Sequence, residues 1–570
     1  MGGAGADTFD FSATTLAASD RVVGGSGLDT LVMTTPGTVT VTGVSGIETW
    51  RLANGKPNDL RLTTGNFTGT TGTEITVIDG NAGDTVNAIA LSLSDRTTVT
   101  GGSGNDVFIG STGTDVFSGN AGADTFRFSV ARLSASDVVK GGDGNDTLFL
   151  TSAGTVVAGG VSGVETYELA NGGANKLTLT PGNFAGARGQ TITVEGGNSG
   201  NTIDAHLAGA ADHAVMTGGL GKDVFTGGPG ADTFRFSAAD LSAHDVVKGG
   251  GGTDTLFLTS AGTVAAGGVS QVETWRLANG GANKLVLTAG NFAGVAAATI
   301  TVVGGDSANT VDARLAGAHD ETIMVGGAGE DVFIGGPGTD IFQFAATSLA
   351  TTDIVQGGRG NDRLQMTSAG EIAATGVIGV ETWRLANGGA NTLSLANTNF
   401  AGVKPATITV FGGNDGNTLG EAGVSASDLA VLVGGAGSDT LTAGRHARLT
   451  GGGGGDQFVF STSGSAASPD ANTITDFTHG LDRIVFRDAG FNLGSDEGKG
   501  TASPQSIAKS LFSSSTNGSF ATTANRFAYN PKTGGLFYDA DGSGKADASQ
   551  RIATLTNHPA LTASDLFFIK

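Results

Sequence analysis

Between Gly101 and Arg127 the chain alternates a short apolar beat with a longer, glycine-rich polar one. The stretch reads GGSGNDVFI, GSTGTDVFS, GNAGADTFR: three nonapeptides in tandem at 101–109, 110–118 and 119–127. Each has the form Gly-Gly-x-Gly-x-Asp-x-U-x, with U a large apolar residue. The glycines permit a tight turn with positive φ and close backbone approach. The residues after each Asp (Val107–Ile109, Val116–Ser118, Thr125–Arg127) are predicted as short strands with the apolar side chain facing inward. A nine-residue period of turn and strand predicts an all-β chain, a right-handed parallel β-roll or β-helix solenoid. No segment carries a helical period.

The nonapeptides are nested in a longer repeat covering positions 1 to about 456. The phrase ETWRLANG at Glu48 returns as ETYELANG at Glu165 and as ETWRLANG at Glu273 and Glu381, at intervals of 117, 108 and 108 residues. The turn aspartates Asp7, Asp124, Asp232 and Asp340 keep those intervals. The first interval is longer by one nonapeptide, Gly110–Ser118, which the later repeats lack. Four repeat units are expected, at 1–123, 124–231, 232–339 and 340–456, followed by a β-rich cap at 457–570. In the third unit strands are predicted at Thr255–Ser260, Glu273–Ala278, Lys284–Thr288 and Thr299–Val303, from rough alternation of apolar and polar residues.

A Gly-rich turn of this kind exposes main-chain carbonyls beside a carboxylate, and such hard oxygen ligands suit calcium. The candidate metal residues of the first unit are Gly2, Gly5, Asp7, Gly24, Gly27, Asp29, Gly101, Gly104, Asp106, Asp115, Gly119 and Gly122. The second unit offers Asp124, Gly141, Gly144, Asp146, Gly218, Gly221, Asp223, Gly227 and Gly230. The third offers Asp232, Gly249, Gly252, Asp254, Gly326, Gly329, Asp331, Gly335 and Gly338. The fourth offers Asp340, Gly357, Gly360, Asp362, Gly434, Gly437, Asp439 and Asp456. Charge supports this reading. There are 53 acidic residues against 31 basic ones, a net charge of −22, which argues against a nucleic-acid backbone as partner and for cations. Cysteine is absent, so disulfides and thiolate metal sites are excluded. No run of about 18 apolar residues occurs, so no membrane-spanning helix is expected. The N-terminus, MGGAGADTFDF, lacks the regions of a signal peptide, and Gly2–Asp10 is already a full nonapeptide. The chain therefore reads as a fragment, or as one whose N-terminal partner is missing.

These motifs resemble the RTX (repeats-in-toxin) calcium-binding family. The resemblance implies that Gly carbonyls and the Asp of one turn share a calcium with the next turn on the same edge. Turns alternate edges there, which pairs Asp106 with Asp124. Tracking turns from Gly196, with edges alternating, pairs Asp232 with Asp254, and likewise Asp7 with Asp29, Asp124 with Asp146, and Asp340 with Asp362. At three turns the Asp position holds Asn201, Asn309 or Asn417. These are read as structural turns without metal, since an amide oxygen is the weaker calcium ligand. The middle third of each unit is accordingly expected to wind without calcium. The C-terminal region, with ITDF at Ile474–Phe477 and the end SDLFFIK at Ser564–Lys570, resembles that of secreted RTX proteins, including serralysin-type proteases. That implies an exit from the roll, capping strand pairs, and an uncleaved signal read by a type I secretion apparatus. Lys570 departs from the pattern, because such tails usually finish apolar.

Three further features bear on function. Asp539, Asp541, Ser543 and Asp547 with Gly544 resemble an EF-hand loop, but position twelve is Gln550, and the stretch is read as a hairpin loop. Trp50, Tyr167, Trp275 and Trp383 could form a sugar-stacking row, but are read as core caps, with Arg51, Arg276, Arg384 and Glu168 on a solvated face. No HExxH motif exists, the seven histidines are scattered, and no GxSxG elbow occurs, so no active site is found and the chain is not expected to be an enzyme. Two functions stay open: a secreted, calcium-stiffened structural or adhesive surface rod, with a cell-surface glycan or self-assembly as partner, or the export and folding module of a larger secreted enzyme. At ~4.8 Å per strand the rod would be about 100 Å long.

Overall fold

The computed structural model describes every residue except 265, 296–297, 404–405, 463–471, 492–502, 545–547 and 570. The chain is a parallel β-solenoid, and its coils fall into two compact units. One is Met1–Arg276 with Gly290–Ala296; the other is Leu277–Ala289 with Ala297–Lys570.

In the first unit the nonapeptide rhythm sends alternate strands to opposite faces. Val107–Ile109 pairs in parallel with Thr85–Asn87 and Thr125–Arg127 on one face. Thr114–Ser118 pairs with Arg96–Thr100, and its strand continues onto Val138–Asp143, on the other. Two nonapeptides thus make one coil, and every U residue points between the sheets. Phe108 lies 5.6 Å from Phe117 and 5.4 Å from Phe126, ring centre to ring centre, and all three are fully buried. Ring contacts of this kind add to the aliphatic burial of so thin a core.

The extra nonapeptide Gly110–Ser118 has a consequence for the aromatics of the repeated phrase. It adds half a coil, so the equivalent strands of the next repeat change face. Thr49–Arg51 belongs to the sheet of Thr114–Ala121, whereas Thr166–Glu168 belongs to the sheet of Val107–Ile109. Trp50 and Tyr167 therefore lie on opposite faces. Moreover, Trp50, Tyr167, Trp275 and Trp383 are at most 1% exposed, and the indoles donate to the carbonyls of Ile47, Val272 and Val380. They cap the core, and a sugar-stacking row is excluded: buried rings cannot offer a face to a glycan. Arg51, Arg276 and Arg384 are exposed beside them.

The second unit repeats the scheme. Thr299–Val303, Glu321–Val325, Asp340–Phe344, Arg363–Met366 and Thr382–Arg384 follow one another, each paired in parallel with the next. The parallel ladder runs on to Asn472–Ile474 and, on its other face, to Arg483–Arg487. There the pairing changes. Phe527–Asn530, Gly535–Tyr538 and Gln550–Leu555 form an antiparallel meander. Phe486, Phe491, Phe527 and Tyr538 close the core beneath it, with Phe486 and Phe527 stacked at 4.2 Å. Gly535–Tyr538 and Gln550–Leu555 flank Asp539, Asp541, Ser543 and Gly544 as a hairpin, while Asp547 lies outside the described residues. Leu566–Ile569 is the parallel neighbour of Ile484–Arg487, with Leu566 and Phe568 buried; Lys570 lies outside the described residues.

Candidate metal centres

Each Asp of a nonapeptide ends a turn and begins a strand, so stacking the strands also stacks the carboxylates. Asp7 N donates to Asp29 Oδ1 at 2.8 Å, Asp106 N to Asp124 Oδ1 at 2.8 Å, and Asp124 N to Asp146 Oδ1 at 2.7 Å. Asp232 N donates to Asp254 Oδ1 at 2.7 Å, and Asp340 N to Asp362 Oδ1 at 2.8 Å. Asp439 N donates to Asp456 Oδ1 at 2.9 Å. All but the last, Asp439 with Asp456, are pairs that the alternation of edges predicts. The turns at Asn201, Asp223 and Asp245 share the opposite edge, also as expected.

Oδ1 is thus used by the backbone, and Oδ2 decides the chemistry. In Asp7, Asp106, Asp232 and Asp340 it accepts from the backbone N of Gly3, Gly102, Gly228 and Gly336. In Asp29, Asp124, Asp146, Asp254, Asp362 and Asp439 it is buried with no donor at all. A second oxygen converges on each orphan. A Cβ added at Gly24, Gly119, Gly141, Gly249, Gly357 or Gly434 would strike that turn's own Oδ2 and a carbonyl oxygen of the next coil. The carbonyls belong to Gly46, Gly141, Gly163, Gln271, Gly379 and Gly451. The first glycine of the motif therefore leaves open a cradle lined by carboxylate and carbonyl oxygens, and that donor set fits calcium. Gly27 (φ 135°) and Gly144 (φ 148°) turn the chain back so that successive bends nest.

Burial raises carboxylates on both edges, Asp115 to about 7 among them. Burial, with Asp340 and Glu381 beside it, pushes Asp362 up to about 8. Burial, with Asp232 and Glu273 nearby, pushes Asp254 up to about 7. Asp124 rises to about 7 and Asp146 to about 6, again chiefly through burial. A carboxylate ionised here without a cation is costly.

Not every predicted turn has this form. At Asp115, Asp223 and Asp331 both carboxylate oxygens have protein donors, from Ser111 at Asp115, from Asn201 and Gly219 at Asp223, and from Asn309 and Gly327 at Asp331. A Cβ at Gly110, Gly218 or Gly326 would enter the ring of Phe128, Phe236 or Phe344. These glycines make room for an aromatic, and around Asp115, Gly218, Gly221, Asp223, Gly326, Gly329 and Asp331 the structure brings together no donorless Oδ2 facing a carbonyl across the first glycine. At the Asn turns an amide takes the central place. Asn201 Nδ2 donates to the carbonyls of Gly197 and Ser199 and to Asp223 Oδ1, and Asn309 and Asn417 do the same in their turns.

The columns also contain residues the sequence reading passed over. Glu48, Glu165, Glu273 and Glu381 accept from the N of Asp29, Asp146, Asp254 and Asp362, always 19 residues back. That constant interval was visible in the sequence. Asp137 and Asp353 take the same part on the other edge, 22 residues on, as the expected Asp245 does. Asp79 and Asp84 join Asp106 in a buried cluster, where burial beside Asp84 and Asp106 pushes Asp79 up to about 9.

The family model of the RTX calcium-binding nonapeptide repeat, in four copies, matches residues 94–127, 134–152, 208–238, 241–260, 321–344 and 349–365. No curated protein matches the chain. The cradle geometry also recurs beyond the matched segments, at Asp29 and at Asp439.

Proposed function

We propose that this chain, an RTX calcium-binding repeat protein, serves as a secreted structural or adhesive surface element that folds outside the cell as it binds calcium. Six buried, donorless Oδ2 atoms, each facing a carbonyl oxygen of the next coil, carry the proposal. Calcium, when bound, supplies the positive charge those oxygens lack. The residues do the rest. Oδ1 ties each turn to its predecessor, and the first glycine keeps the cradle open. Without the cation, ordered glycine turns and crowded carboxylates oppose folding. Extracellular calcium near ~10⁻³ M suits sites of the weak, exported class, and binding to the folded state alone stabilises it. The proposal gives the chain no catalytic step.

Export by a type I apparatus fits this cycle. Leu566–Ile569 is a paired strand with Leu566 and Phe568 buried once folded, so a receptor can read its apolar face only while the chain is unfolded. Circular dichroism during a calcium titration, with magnesium as control, tests the main proposal. Strand signal should appear with calcium and not with magnesium. A strand-rich chain that ignores both calcium and chelator would overturn it.

A further inference from the structure

The first repeat differs from the other three at one turn. The segment ITVIDGNAGDT (75–85) corresponds to ITVEGGNSGNT (192–202), ITVVGGDSANT (300–310) and ITVFGGNDGNT (408–418). Asp79 stands where the others have Gly196, Gly304 and Gly412, and Asp84 where they have Asn201, Asn309 and Asn417. In the other repeats the Asn amide nitrogen fills the turn, 2.9 to 3.0 Å from where a Cβ on that glycine would lie, and donates to its carbonyls. Exchanging Asn for Asp removes that donor. Exchanging Gly for Asp sends a second carboxylate into the same space.

The result is a pocket of three acids. Carboxylate oxygens of Asp79, Asp84 and Asp106 lie within 4.8 Å of one another. Asp84 and Asp106 are fully buried, and their oxygens are held by backbone donors: Asn58 and Gly80 N for Asp84, Asp84 and Gly102 N for Asp106. Asp79 is 9% exposed, and both its oxygens are buried without any donor. The nonapeptide cradles each leave one orphan oxygen; this turn leaves two, next to two further carboxylates. All available ligands are hard oxygens, and the local charge exceeds that of any cradle built on one Asp per turn.

We propose that Asp79, Asp84 and Asp106 form a separate site for a divalent cation of the calcium class, tighter than the nonapeptide cradles, at the head of the long column Asp106–Asp124–Asp146. It rests on the calcium reading through Asp106, which it shares with that column. Because this site fills first, it orders the turn against which Asp106 and the later coils stack. The competing arrangement is an Asp79–Asp84 pair that shares a proton and binds no ion.

Calorimetric titration of the full, metal-stripped chain with calcium separates the two, using the parent, Asp79→Gly and Asp79→Asn. Glycine is the residue the other repeats carry here, so the fold should survive that exchange. The parent should bind one ion more than Asp79→Gly. In Asp79→Asn the tightest class should weaken about ten-fold or more, since charge count sets affinity in such sites. Identical counts and identical tightest affinities in all three chains overturn the proposal alone. So does an infrared band of a protonated carboxyl that persists in the calcium-saturated parent and is missing from Asp79→Asn. Loss of calcium binding in all three, parent included, overturns the calcium reading as well.

Discussion

Two turns of successive repeats share a motif and differ in what surrounds it. Gly249–Asp254 and Gly218–Asp223 both read Gly-Gly-x-Gly-x-Asp. At the first, the missing Cβ of Gly249 opens onto the Gln271 carbonyl and the donorless Asp254 Oδ2. At the second, the missing Cβ of Gly218 is occupied by the Phe236 ring, and Asp223 is fully bonded. Both aspartates are pillars of a ladder, but only one faces an unanswered charge. The motif guarantees a tight turn and a stacked carboxylate. Whether that carboxylate needs a cation depends on the residue that the next coil brings beside it.

The strongest way to break this contrast is to remove calcium. Chelation should abolish hydrogen-exchange protection at Asp232 N and Thr255 N, which bond to the cradle column, before it does so at Asp223 N and Val246 N. Simultaneous loss on both edges would show that the edges do not differ. Next in size is Phe236→Ala. Emptying the ring edge should cost about 3–5 kcal/mol in urea unfolding of the calcium-loaded chain. The number of calcium ions bound, read by calorimetry, should stay unchanged.

A matched pair of glycine substitutions sharpens the point. Gly218→Ala should cost about 1–3 kcal/mol by overpacking the Phe236 ring, again with the calcium count intact. Gly249→Ala should instead lower the count, because the methyl group would lie between Asp254 Oδ2 and the Gln271 carbonyl. An unchanged count in Gly249→Ala would sink the cradle assignment. The smallest effect concerns pH. In the metal-free fold burial raises Asp254 from 3.8 to about 7 and Asp362 from 3.8 to about 8. The folded state then holds more protons than the unfolded chain between about pH 4 and pH 8, so the metal-free coil loses stability as pH rises through that window. Protonation there substitutes for the cation. The calcium midpoint by circular dichroism should therefore move to lower concentration as pH falls from about 8 to 6. A midpoint indifferent to pH would contradict it.

Much of the scaffold was legible because a nine-residue period leaves little freedom. The pairing of Asp232 with Asp254 follows from counting turns, and the structure stacks them so. The role of Glu273 was equally available in its fixed distance from Asp254, but a carboxylate inside an aromatic phrase draws the eye to Trp275. Asp79 escaped notice for another reason. It occupies a position where the motif asks for glycine, so pattern matching discards the turn.

What the chain order alone settled is the winding: short strands recurring at a nine-residue period between glycine bends coil in parallel, which aligns the aspartates on alternate edges. Which glycine faces a carbonyl and which a phenyl ring was decided by the closed coil. So was the transfer of Tyr167 to the face opposite Trp50. Those outcomes depend on groups one coil apart, such as Gly218 and Phe236, and on whether an odd or even number of half-coils intervenes. Such neighbours meet only when successive coils stack.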